Sequence, residues 1–397
     1  MDLSDPTTLV LSVILCLFAA LFFYGRKRSG KYNLPPGPRP LPIIGNLHIL
    51  DLKKPYQTLH QLSKKYGPVY TIKLGVEEVV VLCGYDAVKD ALVNHADEFS
   101  GRPKVPMFHE ITKGHGVIFA HNDNWKVMRR FTLSTLRDFG MGKETIENKI
   151  TEESDFLVQK FRSYKGWSTL YNTFPSVMRW CSTIKNKVAE RTAVMHEFIQ
   201  ETFTNQRKEL DVNDQRNLID SFLVKQQEEG KVQSEIEKVI GSAEPQVIHR
   251  KQMPYTDAVI HEIQRIGNII PTNLPHATTQ DVNFREYLLP KGTHVIPLLT
   301  SVLYDKEHFA KADEFYPEHF LDSSGNFLRK EAFMPFSAGK RSCAGESLAK
   351  MELFIFFTKL LQNFTFQAPP GATPDLTSSG GFTSGPLPHK ICAIPRV

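Results

Sequence analysis

The chain has 397 residues, 41% hydrophobic and 23% charged, with a formal net charge of +5. This composition excludes a disordered acidic tail and a polytopic membrane protein, and the length asks for one large or two ordinary domains. The mild basic excess has no Lys/Arg block interleaved with aromatics, so it reads as a solubilising surface with no nucleic-acid partner.

In chain order, the first feature is the stretch 6–25, 20 residues without a charge and dense in Leu, Val, Ile and Phe. As a helix rising about 1.5 Å per residue it just crosses a hydrocarbon layer of about 30 Å. Asp2 and Asp5 precede it, whereas Arg26, Lys27, Arg28 and Lys31 follow it. That order predicts an uncleaved signal-anchor over residues 1–25 with the body in the cytosol, since a removed signal peptide carries its basic residues in front. Residues 26–46 form a basic, proline-rich hinge. Pro35, Pro36, Pro38, Pro40 and Pro42 fix φ and lack N–H donors, which suits a stiff spacer, with a PxxP ligand as the other reading.

Behind the hinge, residues 47–397 form the body. Apolar spacing predicts helices over 56–66, 85–93, 125–136, 143–161, 195–208, 218–227, 235–240, 255–266 and 345–363. Strands are expected at 69–74 and 78–82, a hairpin around Gly75, and at 282–289 and 293–297 around a Pro290-Lys291-Gly292 turn. The fold class is therefore mainly α with small β-sheets. Two stretches, 164–167 and 230–231, pass from one polar helical pattern to another with little turn chemistry. Cys16, Cys83, Cys181, Cys343 and Cys392 lie far apart with no CxxC pair, which argues for a reduced body without a disulfide framework or zinc knuckle.

The segment from Phe336 to Glu346 is the most informative. It places Cys343 at the mouth of a helix, where free N–H groups and the helix dipole stabilise a thiolate. Gly339 and Gly345 let backbone approach a flat ligand, and Arg341 offers a fixed cation two residues from the sulfur. The competing reading of a lone cysteine is a small buried hydrophobe. In the stretch from His261 to Arg265, Glu262 and Arg265 stand at i,i+3 and share a helix face. By spacing alone they are a solvated surface pair.

The pattern of Phe336, Gly339, Arg341, Cys343 and Gly345 resembles the haem-binding loop of the cytochrome P-450 family, Phe-x-x-Gly-x-Arg-x-Cys-x-Gly. The wider wording is similar to the vertebrate microsomal family 2 group, from anchor to C-terminus. The resemblance implies a cytochrome P-450 fold binding haem b (iron protoporphyrin IX), with Cys343 as axial thiolate, a ligand that favours O–O cleavage. It implies propionate contacts from Arg102, Trp125, Arg129, His276 and Arg341, and a buried clamp of Glu262, Arg265 and His319, the last standing where many members have arginine. Phe108, Ile270, Leu274 and Phe382 face the substrate pocket by the same analogy, or are ordinary core residues. Arg129, Arg130 and Lys340 lie on the cysteine side, where the family docks its acidic electron donor. The implied partners are NADPH-cytochrome P-450 reductase, cytochrome b5, membrane lipid and an apolar small-molecule substrate, at the endoplasmic reticulum membrane.

The family's central helix carries an Ala/Gly-Gly-x-Asp/Glu-Thr run, and the sequence shows nothing comparable; its place falls at 230–231, and the join at 164–167 omits a further helical stretch. The fold is thus expected to be incomplete, with the central oxygen-activating helix absent and no catalytic acid–alcohol pair. Three readings stand. The first is a haem-thiolate monooxygenase, acting on paired donors with O2 (EC 1.14.14-like), that oxidises fatty acids, steroids or xenobiotics. The second is a non-catalytic haem-binding or regulatory isoform, and the third a splice product that does not fold.

Overall fold

The computed structural model describes Ser12, residues 32–138, 140–141, 143–173 and 226–368, and short pieces between 378 and 396. The anchor stretch 6–25, Ser12 apart, lies outside these residues, as do the expected helix 195–208, most of 218–227, and Phe382. Among the described residues no helix is long and apolar enough to cross a membrane.

Helices α1 (Pro55–Tyr66), α2 (Tyr85–Lys89), α3 (Pro106–Thr112), α4 (Asn122–Asp138), α5 (Glu144–Thr173), α6 (Gln226–Val239), α7 (Pro254–Gly267), α8 (Leu299–Leu303) and α9 (Glu346–Asn363) dominate. The strands are β1 (Val69–Leu74), β2 (Glu77–Leu82), β3 (His276–Ala277), β4 (Val282–Phe284), β5 (Tyr287–Leu289), β6 (His294–Pro297), β7 (Phe364–Gln367), β8 (Ser378–Ser379), β9 (Gly385–Pro386) and β10 (Cys392–Pro395). The architecture is mainly helical with small sheets. Both abrupt stretches, 164–167 and 230–231, fall inside continuous helices, α5 and α6.

The chain divides into two units. The first comprises Met1–Leu133, Ile270–Phe309 and Glu331–Cys343. Its sheet has the order β1-β2-β6-β3. Strands β1 and β2 pair antiparallel from Val69↔Leu82 to Leu74↔Glu77, with Gly75 at φ 64° in the left-handed position that a two-residue hairpin requires. Strand β6 runs parallel to β2, Val79 opposite His294, and β3 closes the other side of β6. Tyr56 and Leu59 of α1 pack on Tyr70, Ile72, Val79 and Val81, and the Tyr70 hydroxyl donates to the Leu59 carbonyl at 2.7 Å. The expected helix 85–93 is α2 followed by a π-helical turn, Asp90–Asn94. The expected strand 282–289 is instead the hairpin of β4 and β5, because Arg285 takes φ 57° and reverses the chain.

The second unit holds α5, α6, α7 and α9 around a core that includes Ile150, Val158, Val232, Ile236, Ile263, Phe354 and Ile355. Helix α7 opens on Pro254, whose missing N–H costs nothing at the first turn. Its next two N–H groups, of Tyr255 and Thr256, donate to the Glu235 carboxylate at 3.2 and 2.7 Å. The helix stops at Asn268, which takes the left-handed cap conformation at φ 36°. Every residue from Thr256 to Gly267 is buried.

That burial changes the meaning of the Glu262–Arg265 spacing. Both side chains are fully enclosed, and Arg265 donates Nε to Oε2 at 2.8 Å and an Nη to Oε1 at 2.7 Å. Its remaining donors reach the carbonyls of Ala312 and Glu314. Glu262 also accepts the Tyr316 N–H at 2.8 Å and His319 Nδ1 at 3.2 Å. His319 Nε2 accepts the Lys311 N–H, so Nδ1 carries the ring proton and the imidazole donates to Glu262. Helix α7 and the segment 311–319 are thereby tied through one carboxylate.

Burial pushes the Glu262 carboxyl up, but the bonds from Arg265 and His319, the Arg265 charge and the Tyr316 N–H outweigh it and hold it below the ordinary glutamate range. A depressed folded value means that this stabilisation is complete above the unfolded value of about 4.3 and is lost as pH falls through the folded one. Glu262→Gln leaves the Arg265 charge buried without its partner and is expected to cost about 3–5 kcal/mol at neutral pH. Urea unfolding followed by circular dichroism should show that loss, and the variant's stability should fall less steeply in acid than the parent's.

Candidate functional site

The cysteine loop is set by its backbone. Cys343 donates its N–H to the Phe336 carbonyl at 2.9 Å, and Ser342 donates to Gly339 at 3.1 Å, closing the turn Gly339–Arg341. Gly339 sits at φ 69°, and a Cβ there would stand 1.7 Å from the Leu92 carbonyl oxygen in the π turn. No side chain fits, so the loop rests directly on that turn. Ser337, at φ 62°, accepts a hydrogen bond from Asn273 Nδ2 at 2.9 Å. Arg129 of α4 reaches the loop and donates to the Ser342 carbonyl at 2.8 Å. Cys343 is a free, exposed cysteine, unlike buried Cys83, whose thiol burial pushes up to about 12. Gly345 caps the first turn of α9, its carbonyl accepting the Ala349 N–H.

Beside the loop lies a cluster of cations. Arg341 spans from the loop to the segment before α4, donating to the carbonyls of Ser100, Val117 and Ala120. Its guanidinium lies 3.7 Å from the centre of the buried Trp125 ring, and Arg129 lies 5.9 Å from the same ring. Arg102, also buried, donates to the carbonyls of Ile118, Leu274 and Pro275. Gly101 bridges to Ala277 of β3, where a Cβ would meet the Ala277 oxygen at 2.4 Å. This contact sets Arg102 beside His276. His276 is 1% exposed, with Nδ1 at 2.7 Å from the Phe99 carbonyl oxygen.

No described carboxylate pairs with Arg102, Arg129 or Arg341. Burial, then the charge of Arg129, pushes Arg102 down to about 10. Burial, then Arg102 and Arg129, pushes Arg341 down to about 9. Arg129 is lowered by burial, with Cys343 opposing. Two buried nitrogens within the cluster, Trp125 Nε1 and His276 Nε2, have no hydrogen-bond partner. The arrangement is built for a ligand that carries negative charge and accepts hydrogen bonds. His121, lowered by burial, Arg341, Lys104 and His109, belongs to the same positive region. Sequence reading passed over it, and its position just before α4 gave no signal. Lys340, by contrast, is ion-paired with Asp97.

Other sequence-selected residues are dispersed. Phe108 stacks on Phe119 with centroids 4.2 Å apart and planes at 16°. Ile270 and Leu274 are half-buried, the first opening a turn closed by the Asn273 N–H on its carbonyl and the second following that turn. A cavity of about 530 Å³ opens elsewhere, between Val247, Arg250, Lys251, Asp257 and Phe327, and none of the selected residues lines it. Gly142-Lys143-Glu144-Thr145 does carry a Gly-x-acid-Thr wording, but Glu144 and Thr145 are exposed on the first turn of α5. Among the described residues there is no cluster of His, Cys, Asp and Glu able to hold a metal ion.

The family model for Cytochrome P450 matches residues 35–169 and 226–393, leaving 170–225 unmatched. The chain is 39% identical to cytochrome P450 2K1 of Oncorhynchus mykiss over 495 aligned positions, covering 99% of this chain and 98% of that protein. It is 38% identical to cytochrome P450 2C5 of Oryctolagus cuniculus over 487 positions, covering 98% of this chain and all of the relative. Cytochrome P450 2K6 of Danio rerio is 39% identical over 460 positions, 90% of each chain. With 397 residues set against these spans, the relatives carry stretches that this chain lacks. The cysteine loop lies inside the second matched stretch, and the chain belongs to the cytochrome P450 family of haem-dependent monooxygenases, with family 2 likeness over nearly its whole length.

Proposed function

We propose that the chain binds haem b through Cys343 and acts, within its family's chemistry, on apolar small molecules such as fatty acids, steroids or xenobiotics. One observation carries the reading. Three arginines without a carboxylate among the described residues, and two buried nitrogens without partners, belong to the same unit as the exposed cysteine. A ligand with two carboxylates would offset the arginines and accept from Trp125 Nε1, and the two propionates of haem b fit that need. When bound, thiolate-ligated haem iron supplies dioxygen activation.

The chain's own residues divide the remaining work. Arg102, Trp125, Arg129, His276 and Arg341 hold the propionates. Gly339 keeps the loop pressed on the Leu92 carbonyl, and Arg129 steadies the peptide before Cys343 through the Ser342 carbonyl. Phe108, Ile270 and Leu274 are offered to the substrate side. Electrons come from NADPH-cytochrome P-450 reductase, with cytochrome b5 as a second donor, docking near Arg129, Arg130 and Lys340. Residues 1–25 hold the protein in the endoplasmic reticulum membrane and 26–46 space it from the body, because the basic residues follow the apolar run. Carbon monoxide difference spectra test the ligand: the reduced chain should give the red-shifted Soret band of a thiolate complex, and Cys343→Ala should lose it. An unchanged spectrum in the variant would remove Cys343 from the site.

A second reading is favoured by the absent acid–alcohol run and by the stretches that the relatives have in excess. In it the chain keeps the haem site but turns over poorly, as a shortened isoform whose gaps lie near 164–167 and 230–231. Positioned acid–base groups contribute about 10²–10⁴-fold to rate. Without them, and with one wall of the site open to water, electrons leak to dioxygen as superoxide or peroxide. Product formed per NADPH consumed, measured with reductase in lipid vesicles, should be far lower than for a chain with the missing stretches restored. Equal coupling in the two would eliminate this second reading.

A further inference from the structure

His276 differs from Arg102, Trp125, Arg129 and Arg341 because it can change its charge near neutral pH. Its Nδ1 faces the Phe99 carbonyl oxygen at 2.7 Å. A carbonyl only accepts, so Nδ1 carries the proton. Nε2, buried and without a partner, is then a bare lone pair. The charged groups that face the ring are Arg102, held on the carbonyls of Leu274 and Pro275 immediately before it, and Arg341 from the cysteine loop. No carboxylate pairs with either arginine among the described residues. Burial, then Arg102, pushes the imidazole down to about 3, with the Phe99 bond opposing and Arg341 adding to the fall. In the free chain the ring is neutral.

A neutral ring in this orientation cannot donate to an anion. Its lone pair and a carboxylate oxygen are both acceptors, and two acceptors come within hydrogen-bond distance only with a proton between them. Trp125 Nε1 poses no such difficulty, because its N–H is a donor at every pH. We propose that His276 couples cofactor capture to proton uptake: when the propionates enter, one proton from solvent is taken up between Nε2 and the carboxylate it faces. The proposal rests on the haem reading above.

The balance is simple. Before binding there is a neutral imidazole and an ionised carboxylate; afterwards the pair holds one additional proton, whichever atom carries it, and no electron moves. The driving force arrives with the ligand. Two carboxylates offset the Arg102 and Arg341 charges that keep the ring neutral in their absence, and they provide the acceptor that Nε2–H needs.

Haemin titrated into the full apo chain between about pH 6 and 8 tests this, with affinity read from the absorbance change. The slope of log affinity against pH counts the protons exchanged. His276→Gln keeps an N–H donor at the reach of Nε2 and needs no proton. Any proton released by the Cys343 thiol is common to both chains and cancels in the comparison. The parent's affinity is expected to fall about tenfold more per pH unit than the variant's, a difference of about one proton. The parent also provides a test that needs no variant. Protoporphyrin IX, with both carboxylates and no iron, should bind with an uptake of about one proton, read by its fluorescence, while its dimethyl ester takes up none. Equal slopes for parent and variant, or for acid and ester, would overturn the coupling and leave haem binding standing. A parent that binds no haemin would overturn the haem reading beneath it.

Discussion

A buried guanidinium must find a counter-charge, and this requirement separates the buried arginines among the described residues into two kinds. Arg265 meets it internally: Glu262 takes two of its donors and the carbonyls of Ala312 and Glu314 take the rest. Arg102 and Arg341 meet only half of it. Their N–H groups are satisfied by carbonyls, which supply hydrogen bonds but no net charge; beyond burial, Arg129 lowers Arg102, and Arg102 and Arg129 lower Arg341. A protein that folds around uncompensated charge gives up stability to do so, and such a feature is retained where an incoming ligand restores the balance. The first kind of arginine ties α7 to the segment 311–319, while the second keeps a positive charge that the described residues leave uncompensated.

The two kinds could not be told apart in the sequence. Glu262 and Arg265 at i,i+3 read equally well as a surface pair, because spacing reports a shared face and says nothing about what covers it. Burial of the whole of α7 is a tertiary fact. The cysteine loop was legible for the opposite reason: five residue types at fixed spacing each answer a local need. The helices 255–266 and 345–363 were readable within a residue at each end, since α7 carries strong apolar spacing and a proline at its start, and α9 a long apolar run through Leu353 to Phe357. Strands β3 and β7 escaped because two- and four-residue strands acquire their hydrogen bonds from distant partners. The reversal at Arg285 escaped because a left-handed arginine leaves no compositional trace. The composition shifts at 164–167 and 230–231 are real in the sequence, yet backbone helicity passes through both, since polar residues on either side are equally good helix formers.

Two glycines do much of the positioning, by what they lack. Gly339 lets the cysteine loop lie on the Leu92 carbonyl, and Gly101 lets its own segment lie on Ala277. The first contact fixes the height of Arg341 and Cys343; the second sets Arg102 against His276. Both are backbone-to-backbone approaches, so neither depends on a side chain settling after a ligand arrives. The cationic cluster is therefore arranged in advance, and ordering it takes little from the free energy of binding.

The parallel pairing of β2 with β6 has a consequence for how the chain is made. Residues 79–82 find their partners at 294–297, on the far side of more than half of the sequence. At about 5–20 residues per second, a ribosome needs on the order of ten to forty seconds to deliver β6 after β2 has emerged. Throughout that interval the β1–β2 hairpin presents an unpaired edge of Val79, Val80, Val81 and Leu82, all of which end fully enclosed. An apolar, uncharged edge of this kind invites pairing with the wrong strand, including that of a neighbouring nascent chain. The early part of synthesis is thus a period in which this edge stands open to mispairing, and it closes only when β6 arrives.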